Sequence, residues 1–189
     1  AGGGYAGEGA SLLNEEDFTT VNLDDTGKGA IPGEVFIHEL VHQWWGLGNM
    51  FDVADETSPW SSEGLTVYTT YRIVKELYGA DYAREYYVDQ WQRDVDDYFL
   101  NFYVRHPEYL AMLPEKERLS IAGSLSGVRH YSEMPLKILK AEQLVGGEAA
   151  MDQILHDLFN REIDPMYPYL TYQDFLDACS LTEEELNLD

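Results

Sequence analysis

The sequence predicts a mainly helical domain with a small β remnant at its start, and three observations carry that prediction. Apolar side chains recur at helical spacing, as in Tyr87, Trp91, Val95, Tyr98 and Phe102. Proline and glycine fall where helices of ordinary length start and stop, with Pro32, Ser58-Pro59, Gly79 and Gly146-Gly147 the clearest marks. Only one or two short strands fit, the plainest being Ala10-Ser11-Leu12-Leu13 near the start.

In chain order, a Gly-rich start leads into that strand and then into a loop dense in turn formers, Asp24-Asp25-Thr26-Gly27-Lys28-Gly29. Pro32 suits the first turn of a helix that runs to about Trp45 and stops at Gly46 and Gly48. Val35, Phe36, Ile37, Leu40, Val41, Trp44 and Trp45 put apolar groups on nearly every side of it, which predicts a helix buried in the domain centre. Ser58-Pro59 opens a second helix ending near Gly79, and Asp81 caps a third that stops at His106-Pro107. The stretch 107–128 reads as irregular, with Pro114 and several glycines and serines. Helices resume over about 130–145 and 148–160, and Thr171 caps a last short one before an acidic tail.

The 189 residues suit one domain, with a strand-and-loop lead-in over 1–30 and a helical region over 31–189. A hydrophobic content of 44% is that of a folded chain with a core. Thirty-five acidic against twelve basic residues give a net charge of -23, which repels nucleic acid and anionic lipid and makes both poor candidate partners. Cys179 is the only cysteine, so no intrachain disulfide forms. No apolar run reaches membrane-spanning length. The start, Ala1-Gly2-Gly3-Gly4-Tyr5, has neither an initiating methionine nor a signal-peptide layout, and the chain reads as part of a larger polypeptide.

The chemistry concentrates in His38-Glu39-Leu40-Val41-His42. Residues four apart on a helix share a face, so His38 and His42 can present imidazole nitrogens to one Zn²⁺ ion. Glu39 is rotated about a quarter turn away, within reach of a water on the metal, and is the candidate general base. Catalytic zinc takes three protein ligands and keeps a fourth position for water. The candidate third ligand is Glu63, in the first turn of the second helix within Trp60-Ser61-Ser62-Glu63-Gly64-Leu65.

The run His38-Glu39-Leu40-Val41-His42-Gln43-Trp44-Trp45-Gly46, with Ser62-Glu63-Gly64 and Lys75-Glu76-Leu77-Tyr78-Gly79, resembles the gluzincin metallopeptidases of the aminopeptidase N and leukotriene A4 hydrolase type. The resemblance implies a thermolysin-like catalytic domain with most of its upstream sheet absent, one zinc ion, a peptide substrate, and His38, His42 and Glu63 as ligands. It implies that Tyr131, in Arg129-His130-Tyr131-Ser132-Glu133-Met134, is a catalytic tyrosine donating to an oxyanion. It also implies that Glu8, in Tyr5-Ala6-Gly7-Glu8-Gly9, binds the substrate's amino group. Such a domain would be extracytoplasmic, in a membrane-associated or secreted protein. Two departures stand out. Twenty residues, 43–62, separate His42 from Glu63 where the family has about 18, and Ser62 replaces the family's asparagine. The expected activity is zinc-dependent, aminopeptidase-like hydrolysis; a peptidase-like binding module and a zinc endopeptidase are the alternatives.

Overall fold

The structure, a computed structural model, describes residues 4–7, 9–13, 34–48, 60–166 and 169–188. It is mainly helical with one two-stranded sheet among these residues. The expected strand is β2 (Ala10–Leu13), and the Gly-rich start supplies its partner, β1 (Gly4–Gly7), antiparallel with Gly4 opposite Leu13 and Gly7 opposite Ala10.

Helix α1 (Glu34–Val41) is shorter than the pattern predicts at its C-terminal end, and Pro32 lies outside the described residues. Past Val41 the backbone tightens. Gln43 N donates to the Leu40 carbonyl at 3.0 Å and Trp44 N to that of Val41 at 2.9 Å, so the last turn is of the narrower i to i−3 kind. The expectation of a helix buried on all sides is corrected. Ile37, Val41 and Trp45 are buried, but Phe36, Leu40 and Trp44 are exposed, Trp44 by half. Those three lie four apart and share one face, turned away from the described core.

A π-helical turn, Trp60–Gly64, leads into α2 (Leu65–Tyr78); Ser58 and Pro59 lie outside the described residues. Gly79 ends α2 and stands at the cap position of α3 (Ala80–Ala83), a place the sequence reading gave to Asp81, which falls in the first turn. A second π turn, Arg84–Val88, continues into α4 (Asp89–Leu100). The expected run to His106 is broken at Asn101, which is extended (ψ 134°) and whose side chain accepts from Tyr103 N at 2.9 Å, capping α5 (Phe102–Arg105).

The stretch read as irregular is helical: α6 (Pro107–Ala111) and α7 (Glu115–Val128) fill it. Pro107 sits in the first turn of α6 and Pro114 just before α7, where a proline is tolerated. No residue of α7 is fully buried, so packing imposes no apolar period on it and the usual signal is missing. A third π turn, Arg129–Glu133, precedes α8 (Met134–Val145), and Gly146-Gly147 separates it from α9 (Glu148–Phe159) as read. Thr171 caps α10 (Tyr172–Cys179) in a reciprocal box, accepting from Asp174 N at 3.1 Å while Asp174 accepts from Thr171 N at 2.8 Å. The acidic tail folds back, with Leu186 fully buried.

One cluster of buried residues runs from Ile37 to Leu186, and α2 lies at its centre against α1 and α8. Trp60 anchors the entry to α2: its indole nitrogen donates to the Leu170 carbonyl at 3.3 Å and its ring packs 5.2 Å from that of Phe175. Tyr68 ties α2 to α8 by donating to Glu142 Oε2 at 2.6 Å. No described helix is long and apolar enough to cross a membrane.

Candidate metal centre

The elements around α2 bring three predicted residues to one point. The Nε2 atoms of His38 and His42 are 3.1 Å apart, and Glu63 Oε2 lies 3.3 Å from the first and 3.6 Å from the second. His38 belongs to α1, His42 follows its last residue, and Glu63 sits in the π turn ahead of α2. Two glycines permit this meeting. A Cβ on Gly64 would stand 2.9 Å from Met134 Cβ, so only glycine lets the π turn close on α8. A Cβ on Gly46 (φ +93°) would stand 3.0 Å from Ser62, where the chain leaving α1 passes the same π turn.

The ring orientation of His42 is set from behind. Its Nδ1 faces the Trp45 carbonyl at 3.2 Å and the Thr66 hydroxyl at 3.2 Å. A carbonyl only accepts, so the ring proton sits on Nδ1 and the Nε2 lone pair points at Glu63. Burial works against charge on Glu63, but its pairing with His38 and His42 outweighs it and holds the carboxyl down at about 2. Burial likewise opposes protonation of His42, and its pairing with Glu63 overcomes that and raises its pKa.

Glu39 is buried (6% exposed) and lines the same cavity, of about 280 Å³, together with Tyr5, Ala6, His38, His42, Gly46, Leu47, Ser62, Glu63 and Tyr131. Tyr131, in the third π turn, is half-exposed, with its ring centroid 6.4 Å from that of His38. Burial raises its pKa first, and the Glu63 charge raises it further, so the phenol keeps its proton and can donate it to a hydrogen bond. Thus His38, Glu39, His42, Glu63 and Tyr131 share one cavity, and two of the three π turns deliver its residues.

Glu8 lies outside the described residues. Its neighbours are described, and a residue given no role by the sequence reading holds them. Gln43 Nε2 donates to the Gly7 carbonyl at 3.1 Å, and Gln43 Oε1 accepts from Gly9 N at 3.1 Å. Ser11 Oγ donates to the Glu39 carbonyl at 3.2 Å, so the hairpin is fastened to the helix carrying the cluster. Thr66 and Tyr5 were missed as well. Thr66 had a signal, because it lies three positions after Glu63 on the same helical run; Tyr5 had none.

The residues present fit a metal ion. Glu63 Oε2 is buried and accepts no hydrogen bond among the described residues, yet two imidazole nitrogens converge on it. Three lone-pair donors gathered in this way, their ligand atoms within 4.8 Å of one another, are what a cation requires. This trio is the one such group among the described residues. His106 and His156 lie beside Glu108 and Asp157 instead, at 3.4 and 3.0 Å. Comparison of the chain with protein-family models, with curated proteins and with solved structures gave no match.

Proposed function

We propose that this chain is a zinc-dependent peptidase of the gluzincin type, with a thermolysin-like catalytic domain, acting on peptide substrates in the manner of an aminopeptidase. The observation that carries the reading is the meeting of His38, His42 and Glu63 within 3.6 Å contacts, with Glu39 on the same cavity wall. Two imidazoles and one carboxylate with room for a fourth ligand are the donor set of a catalytic zinc site rather than a closed structural one. The gluzincin resemblance of residues 37–79 supports the same assignment.

Zinc held by His38, His42 and Glu63 would lower the pKa of a water and polarise the scissile carbonyl. Glu39 takes the proton of the attacking water and returns it to the departing amine, a relay its buried position on the cavity wall favours. Tyr131, kept protonated, donates to the carbonyl oxygen as that atom gains negative charge. Glu8 is the candidate ligand for a substrate amino group, and the aminopeptidase label rests on it. The test is metal analysis and hydrolysis of aminoacyl arylamides by the purified chain. One equivalent of zinc with turnover abolished in Glu39→Gln supports the reading; turnover retained by that variant, or no zinc bound, removes it.

A further inference from the structure

The π turn that presents Tyr131 is gripped through the two residues that follow it. Ser132, buried, donates from Oγ to Asp94 Oδ2 on α4 at 2.7 Å, and the other oxygen of Asp94 accepts from Gln90 at 2.7 Å. Glu133, also buried, accepts from Arg129 Nε at 2.9 Å through Oε2, while its Oε1 lies 3.4 Å from Lys137 Nζ. Lys137 is buried in turn and donates to Glu183 Oε1, and the second oxygen of Glu183 accepts from Tyr172 at 2.5 Å. The tail carrying Glu183 is itself fixed by the fully buried Leu186 and by Lys140 donating to the Asn187 carbonyl at 2.6 Å.

A buried ammonium needs its full complement of partners, and a buried carboxylate needs its cations. Taking Glu183 from this chain leaves Lys137 with Glu133 alone, and the shared charge shifts the balance at the turn. Tyr131 stands directly before Ser132 and inside the Arg129–Glu133 contact, so both fix the backbone that aims its phenol.

We propose that Glu183, acting through the Lys137–Glu133 pair, is a positioning residue for Tyr131, so that the C-terminal segment sets the aim of the phenol into the cavity. This rests on the reading of Tyr131 as an oxyanion donor. Fluorotyrosine labelling of the full chain, with the Tyr131 resonance identified by its loss in Tyr131→Phe, tests it in the metal-free protein. The resonance in the parent is displaced by the neighbouring His38 ring; in Glu183→Ala, and in Lys137→Met, it moves toward the free-tyrosine position. Glu184→Gln, at the adjacent exposed residue, leaves it unmoved. A Tyr131 resonance unchanged in both Glu183→Ala and Lys137→Met overturns the proposal, whatever the activity.

The kinetic arm separates the two readings. With zinc bound, Glu183→Ala lowers kcat about tenfold with KM and zinc content unchanged, a fraction of what loss of a whole oxyanion donor costs. Combined with Tyr131→Phe it costs nothing more, because the effect passes through a group already removed. Additive losses overturn the positioning role. A parent chain inert toward peptides removes the peptidase reading alone, and the resonance then decides the position of Tyr131 by itself.

Discussion

The side-chain amide of Gln43 donates to the carbonyl oxygen of Gly7 at 3.1 Å and so fastens the β1–β2 hairpin to the end of the helix that carries His38. With the Gly9 bond, the amide makes the pair of contacts that a neighbouring strand would make. Gln43→Ala removes both, at a cost of about 1 kcal/mol each. Zinc content stays at the parent level, amide exchange across 4–13 accelerates, and KM for peptides rises by up to about tenfold with kcat nearly constant. Exchange mass spectrometry and steady-state kinetics read the two effects, and unchanged exchange would show that the hairpin is held by other means.

Glu63→Ala leaves two imidazoles. Loss of a partner that merely supports a ligand weakens metal binding about 10- to 100-fold, so loss of the ligand itself exceeds that range. Thr66→Val, which removes a contact to His42 Nδ1 but leaves the Trp45 carbonyl, falls at the lower end of it. Zinc titration by calorimetry distinguishes the two variants, and equal losses would contradict the ranking.

Tyr131→Phe lowers kcat about 100-fold or more with KM and zinc content unchanged, the usual cost of one oxyanion donor. Because burial and the Glu63 charge raise the phenol's pKa, no activity is lost to its ionisation near neutral pH. Parent and variant therefore share the same alkaline limb in a pH–rate profile.

The metal-free chain has a defined pH response. The Glu63 carboxyl titrates at about 2, below its ordinary 4.5, so its stabilising effect is complete above pH 4.5 and is lost as pH falls toward 2. The pKa of His42 is raised, so its contribution is present below the ordinary value of 6.5 and is lost as pH rises through the raised one. Thermal melts from pH 2 to 9 give a maximum in the acid-to-neutral range that Glu63→Ala flattens. Zinc takes the same lone pairs, so its uptake releases protons and its affinity falls as pH drops through the His42 transition.

Gly64→Ala places a methyl 2.9 Å from Met134 Cβ and forces the π turn away from α8. Overpacking of this kind costs about 1–3 kcal/mol, and here it also carries Glu63 off the cluster. Both the melting temperature and zinc affinity fall. A variant that loses stability but binds zinc as tightly as the parent would separate the packing role of Gly64 from the ligand geometry.

By itself the sequence determined the parts of the site that are local in the chain. The i, i+4 spacing of His38 and His42 fixes their common side through helix geometry alone, and Glu39 follows from the same turn. It determined β2, the Gly146-Gly147 break and the Thr171 cap, because backbone conformation and capping chemistry act over a few residues. It did not reveal that α7 is helical, since an exposed helix carries no apolar period, nor that Asn101 interrupts the third helix.

Tertiary structure alone decided whether Glu63 reaches the histidines. That depends on Gly46 and Gly64 letting backbone pass where a methyl would collide, and on α2 packing against α1 and α8. Tertiary structure also gave contacts to residues with no motif: Thr66 behind His42, Gln43 on the hairpin, and Glu183 at the end of an ion chain that runs through Lys137 to Glu133, in the turn that carries Tyr131. Spacing along one helix is set by covalent geometry, whereas distances between helices are set by the side chains packed between them. The histidine pair was therefore legible from five residues; Glu63 could be named as a candidate from the sequence, but only the fold shows it beside them.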